Sequence, residues 1–159
     1  MTQHVLAFDP GETTGIVAAE LTGPRTYKYI EAWQVKWSER FSIKYLINAL
    51  TSFPGSVIVC EDFHLYATQA QNQINSYFPS VKVIGIIETW ANEYGISVFL
   101  QPASARVSTN IPDIDKSKLS SQKHARDAYQ HMRYWVLTKG PKHYQDTIGS
   151  LDTAPLSTE

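Results

Sequence analysis

One cysteine, Cys60, is present among 159 residues, which excludes an internal disulfide framework and suits a reducing compartment. It sits inside the apolar run Ser56-Val-Ile-Val-Cys60, where a buried, inert thiol is expected rather than a nucleophile. No apolar run approaches the ~20 residues that cross a bilayer. Met1-Thr-Gln-His4 lacks the basic and apolar regions of a signal peptide. No internal repeat and no low-complexity tract interrupts the chain. These absences lead to the expectation of a soluble, cytoplasmic protein without a membrane partner. The length fits a single domain with its own core over residues 1–150, followed by a flexible tail over 151–159.

Nor is there an excess of charge of either sign, since the formal net charge is -1. Its distribution is uneven, however. From Lys116 to Lys142 there are seven basic residues against the single acid Asp127, a local charge of +6, and the rest of the chain carries -7. A one-sided phosphate-binding face produces such an asymmetry, as does a merely solvated basic helix.

What is present is a set of acids at the ends of apolar runs. His4-Val-Leu-Ala-Phe-Asp9 is followed by Pro10-Gly-Glu-Thr-Thr-Gly15 and a second apolar run, Ile16-Val-Ala-Ala19. This reads as a hairpin that places Asp9 at a strand end, where glycine lets backbone approach phosphate or metal closely; Asp-Pro-Gly is also ordinary turn chemistry. A second β-branched run ends in Glu61-Asp62. In a stretch free of Gly and Pro, Lys123-His-Ala-Arg-Asp127-Ala puts His124 and Asp127 three apart, on one face of a helix. Gathering such carboxylates without a counter-charge is costly. Divalent cations offset that cost, and oxygen-rich ligand sets suit Mg²⁺ or Mn²⁺. Metal-dependent phosphoryl-transfer chemistry is the leading expectation.

The pattern predicts strands over 4–9, 15–21 and 25–36, a helix over 39–52, a strand over 56–61, a helix over 80–94, a strand over 96–101 and a helix over 120–138. Three antiparallel strands followed by alternating helix and strand imply an α/β protein with a mixed five-stranded sheet flanked by helices.

With Asp-Pro-Gly and Thr-Gly on the first hairpin, a strand-terminal Glu and a final helix carrying ligand-x-x-Asp-Ala, the chain resembles the RuvC family of Holliday-junction resolvases, within the RNase H-like nucleases. The resemblance spans about residues 4 to 137. It implies an RNase H-like fold and a structure-selective DNA endonuclease of the compact kind that phages encode. Such an enzyme resolves four-way junctions by paired symmetric nicks and leaves 5′-phosphate and 3′-hydroxyl ends. It implies catalytic, metal-binding roles for Asp9, Glu61, His124 and Asp127, with two Mg²⁺ or Mn²⁺ ions per site. Two departures stand out. The turn is one residue shorter than is usual in the family, and His124 occupies a position that is commonly Asp. A neutral imidazole there removes one negative charge, which is expected to weaken Mg²⁺ and favour Mn²⁺.

The resemblance also implies basic residues near the scissile phosphate, where Arg106, Lys116 and Lys118 stand, joined by Lys123 and Arg126 on the final helix. Phe63, just after Glu61, is the candidate for stacking on unpaired bases, with packing beneath the sheet edge as the alternative. The helix over 80–94 is apolar on more than one face, through Val83, Ile84, Ile86, Ile87, Trp90 and Tyr94, so it is either sandwiched in the core or shared in a homodimer. His131, two turns after His124, is either a support for a metal ligand or a satisfied polar group at the sheet. The rival readings are an RNase H-like nuclease acting on RNA or an RNA–DNA hybrid, a non-catalytic nucleic-acid-binding module of the same fold, and an actin- or sugar-kinase-like fold. The last requires a duplicated second half for which the chain has no second phosphate loop.

Overall fold

Alternation with a period of two builds the sheet. The computed structural model describes residues 3–36, 39–54, 56–63, 78–112, 119, 121–140 and 142–143. Its elements are β1 (Gln3–Asp9), β2 (Thr13–Gly23), β3 (Thr26–Lys36), α1 (Glu39–Ser52), β4 (Val57–Glu61), α2 (Pro79–Glu93), β5 (Val98–Gln101), a short α3 (Ser104–Val107) and α4 (Lys123–Thr138). The strands form one mixed sheet in the order β3-β2-β1-β4-β5. β2 is antiparallel to both β1 and β3, and β4 runs parallel to both β1 and β5. This is the expected five-stranded architecture, with boundaries within about three residues of the sequence pattern. Of the expected elements, only the final helix starts noticeably late, at Lys123 rather than 120. The short α3 was not anticipated. The expected domain limit at 150 and the tail 151–159 lie outside the described residues.

Because successive side chains point to opposite faces, the central strands carry two cores. One face buries Val5, Ala7, Val17, Ala19, Val57 and Val59 against Ala125, Ala128, Tyr129, Met132, Trp135 and Val136 of α4. The other buries Leu6, Phe8, Ile16, Ala18, Ile58 and Cys60 against α1 and α2. Both faces of β1 and β4 are therefore apolar, as expected for central strands with parallel neighbours. Cys60 is fully buried, and burial pushes its thiol well above the ordinary range, in line with an inert role.

The face under α4 decides where chemistry is placed. Its odd-numbered series 5, 7 and 57, 59 continue into Asp9 and Glu61 at the strand ends. Phe8 pairs with Cys60, so the two acids follow side by side, and Asp9 and Glu61 pair outward with Gly15 and Gln101. The same stripe that buries valine and alanine thus ends in carboxylates beneath the first turns of α4.

Gly15 explains how closely that helix can lie. A β-carbon at this position would fall inside the main-chain carbonyl of His124 and against the nitrogen of Ala125. Of the two glycines in the first hairpin, Gly15 admits the backbone of α4. Since Gly15 pairs with Asp9, the seat that receives His124 lies directly beside the first carboxylate.

Helix α2 is asymmetric. Val83, Ile87 and Ala91 are buried, Ile84, Ile86 and Trp90 are partly buried against the same core, and Val81 and Tyr94 are exposed. Trp90 and Tyr94 stack with ring centroids 4.5 Å apart. Among the described residues, no helix is long and apolar enough to cross a membrane.

Candidate metal centre

Asp9 from β1 and His124 and Asp127 from α4 offer ligand atoms that all lie within 4.8 Å of one another. His124 Nδ1 is 2.8 Å from Asp9 Oδ2. The helical spacing of three puts His124 and Asp127 on one face, and the Gly15 seat brings that face down onto the end of β1. Asp9 is largely buried. Burial pushes its carboxyl up to about 6; the hydrogen bond from His124 pulls it down, and the nearby negative charges of Glu61 and Asp127 push it further up. A buried carboxylate beside two others is a poor place for negative charge unless a cation shares it. The donor set of two carboxylates and one imidazole fits a divalent ion of the Mg²⁺ or Mn²⁺ class, with the nitrogen favouring the softer of the two.

Glu61 stands outside that group of three. Its Oε2 meets Nε2 of His131 at 2.7 Å and lies 3.6 Å from Nη1 of Arg106. Burial raises its carboxyl, but the hydrogen bond and electrostatic pull of His131, together with Arg106, outweigh burial, and the carboxyl lies below its ordinary value. Arg106 also reaches Asp127 Oδ2 at 3.2 Å. Its backbone is steadied by the neighbouring Thr109, whose hydroxyl donates to the Gln130 carbonyl at 3.1 Å and whose carbonyl accepts from the Gln130 amide at 2.9 Å.

The other sequence candidates are less concentrated. Lys123 and Arg126 are exposed on the first turn of α4, beside the acids and facing solvent. Lys116 and Lys118 lie outside the described residues. Phe63 is partly buried with its ring 5.3 Å from that of Phe78, so it borders the site in contact with the residue preceding α2. The start of α2 is itself tied to the Asp-Pro-Gly turn, since the Ser80 hydroxyl donates to the Pro10 carbonyl at 2.8 Å. Within the basic segment, Arg133 is not a free surface cation, because Nη1 donates to the Tyr27 hydroxyl at 3.0 Å. Sequence reasoning missed Gln101, whose signal was available in retrospect as the polar end of the strand next to Glu61. His131, left open by its spacing, is a fully buried partner of Glu61.

A mixed sheet in the order 3-2-1-4-5, with acids at the adjoining ends of its first and fourth strands and a final helix closing over them, is the RNase H-like fold. No protein-family model and no curated protein matches the sequence. Among solved structures the chain is similar to RuvC of T. thermophilus in complex with Holliday junction substrate, with a TM-score of 0.58 and 15% identity over 86% of this chain and 94% of that one. It is also similar to the Fowlpox virus resolvase in complex with substrate Holliday junction DNA, with a TM-score of 0.56 and 12% identity over 90% of this chain and 99% of that one. At these identities the likeness is one of fold, and it agrees with the RuvC-like architecture expected from the sequence.

Proposed function

We propose that the chain is a metal-dependent endonuclease that resolves four-way DNA junctions by paired symmetric nicks, leaving 5′-phosphate and 3′-hydroxyl ends. The observation that carries this reading is the convergence of Asp9, His124 and Asp127, with Glu61 alongside, at one end of a sheet whose fold is shared with resolvases bound to junction DNA. Two Mg²⁺ or Mn²⁺ ions held by these four side chains would supply activation of water and neutralisation of charge at the phosphate. Asp9 contributes the most buried carboxylate of the set. His124 offers a neutral nitrogen in its unprotonated form. Arg106, Lys123 and Arg126 supply positive charge beside the acids, where a phosphodiester backbone would lie.

A second copy of the chain is part of this proposal, because two symmetric nicks require two centres. The exposed Val81 and Tyr94 with partly buried Ile84, Ile86 and Trp90 on α2 supply an apolar surface for it. Sedimentation tests the point: the dimer mass is expected for the wild type, and a monomer that still resolves junctions overturns the shared helix.

Cleavage of a mobile four-way junction, a linear duplex and an RNA–DNA hybrid, each with Mg²⁺ or Mn²⁺, tests the activity. Preferential nicking of the junction at opposed positions is expected. Preference for the hybrid selects an RNase H-type activity, and junction binding without metal-dependent nicking selects a binding module.

A further inference from the structure

His131 is buried with no solvent exposure in the third turn of α4, an uncommon place for an imidazole unless both ring nitrogens are satisfied. Both are. Nε2 lies 2.7 Å from Glu61 Oε2 and Nδ1 lies 2.9 Å from Gln101 Oε1. Glu61 and Gln101 are register partners on β4 and β5, so one ring spans the ends of two adjacent strands from the helix above them.

The hydrogen-bond inventory fixes the direction of the first contact. At 2.7 Å one of the two atoms must donate, and a carboxylate oxygen is an acceptor, so its partner atom carries the proton. Nε2 is therefore a donor. A glutamine amide can present either its oxygen or its NH₂ to Nδ1, so Gln101 serves a neutral or a charged ring equally well. The Nε2–H to Glu61 bond does not depend on which form is present. Glu61 Oε2 is thereby tied to the helix, while Oε1 has no hydrogen-bond partner among the described residues.

We propose that His131, itself held by Gln101, is a positioning residue that fixes the Glu61 carboxylate so that Oε1 is the oxygen presented to the cation group of Asp9, His124 and Asp127. This rests on the metal-dependent reading above and adds a residue to it. His131 touches neither substrate nor ion. It acts through Glu61, as outer partners of metal-binding carboxylates do, and loss of such a partner typically costs about 10- to 100-fold in metal affinity.

Two amide replacements separate positioning from packing. In His131→Gln the side-chain nitrogen falls near the place of Nε2, and in His131→Asn near that of Nδ1. Mn²⁺ binding to the DNA-free protein is measured by calorimetry, with thermal unfolding as the check on folding. His131→Asn is expected to weaken Mn²⁺ binding about tenfold or more, with kcat reduced and KM for junction DNA unchanged, and His131→Gln to recover binding to within about threefold of wild type. Equal Mn²⁺ affinity in wild type and His131→Asn overturns the positioning role and leaves the nuclease reading intact, as does an equal loss in two folded variants. A wild-type protein that takes up no Mn²⁺ overturns the metal-dependent reading and the role of His131 with it. Should neither variant fold, the imidazole resonances of the wild type decide. An exchange-protected Nε2–H proton that shifts on addition of Mg²⁺ is expected, and a signal indifferent to Mg²⁺ overturns the proposal.

Discussion

Asp9 and Glu61 sit at the ends of neighbouring parallel strands, on the same face of the sheet, yet their surroundings drive them in opposite directions. Asp9 is pushed up to about 6 by burial, with Glu61 and Asp127 adding to the rise. Glu61 is held below its ordinary value, because His131 and Arg106 outweigh the effect of burial. The difference teaches that the centre has two halves with different tasks. In the half built from Asp9, His124 and Asp127, Arg106 reaches only Asp127, and Asp9 faces the imidazole of His124. In the half built from Glu61, His131, Gln101 and Arg106, one carboxylate oxygen, Oε2, is already paired before any ion arrives. One half is suited to capture a cation, and the other to keep a carboxylate in place.

The contrast is broken most completely by removing the charge on the Asp9 side. Asp9→Asn is expected to lower junction cleavage by at least about 10³-fold while junction binding survives, since metal coordination and phosphate contacts are separate interactions. Binding measured by mobility shift should still weaken steeply with added salt. Cleavage by the purified variant at the wild-type rate would remove Asp9 from the centre. Next in size, His124→Ala is expected to lose about 10²-fold in cleavage, whereas His124→Asp restores a carboxylate, retains activity and shifts the preference towards Mg²⁺. An alanine variant that cleaves normally with either ion would confine the ligands to the carboxylates.

A smaller effect separates the two acids by pH. In the metal-free protein Asp9 keeps its proton up to about 6, against 3.8 when unperturbed. Between those values the folded chain binds the extra proton. The contribution of this group to stability is therefore fully present below the unfolded value and is lost as pH rises through about 6. The loss is on the order of 3 kcal/mol, read as the difference between wild type and Asp9→Asn in denaturant unfolding at pH 4 and pH 7 without metal. Glu61 has the opposite sign, its contribution being present above its unfolded value and lost as pH falls through its lowered one. A Glu61→Gln difference that grows as pH falls would collapse the distinction. For the same reason Mn²⁺ affinity is expected to rise with pH until Asp9 is ionised near 6, and then to level off.

The smallest expected change sharpens the Glu61 half. Arg106 lies between Asp127 and Glu61 at 3.2 and 3.6 Å and is about one-third exposed, so solvent screening limits each pairing to a fraction of a kcal/mol up to about 1 kcal/mol. Arg106→Gln is accordingly expected to tighten Mn²⁺ binding to the free protein by about two- to fivefold, measured by calorimetry, while weakening binding to junction DNA. Weaker Mn²⁺ binding in this variant would mean that Arg106 orders the acids rather than competing with the ion.

Much of this was legible in the residues. The period of two through Val5, Ala7 and Asp9 and through Val57, Val59 and Glu61 announces acids at the ends of buried strands, and the spacing of His124 and Asp127 announces a shared helical face. Both are local patterns, and the succession of elements implied a mixed five-stranded sheet. What local pattern could not supply was the pairing across the fold. Whether Glu61 joins the other three or turns to His131 depends on the register of β4 with β5 and on the height of α4 above the sheet. Arg133, one of the seven basic residues of the 116–142 segment, likewise donates to Tyr27, a partner distant in sequence. The seat at Gly15 was illegible for a related reason: a glycine in a turn beside an acid does not say which main chain lies against it, and only the packed helix shows that it is that of His124.

That missing side chain makes the centre a reporter of docking. His124 reaches Asp9 only when the first turn of α4 is seated against β2, so an ion bound by all three side chains binds the seated helix and not the lifted one. Each hundredfold excess of ion over its dissociation constant should then add about 2.7 kcal/mol to the free energy of lifting. Amide hydrogens in the first turns of α4 are expected to slow their exchange when Mg²⁺ is added, and those at the far end of β3, where Thr26 pairs with Gly23, to be indifferent. A larger residue at position 15 would uncouple the two events, leaving a helix that still covers its valines and a cation that no longer holds it down.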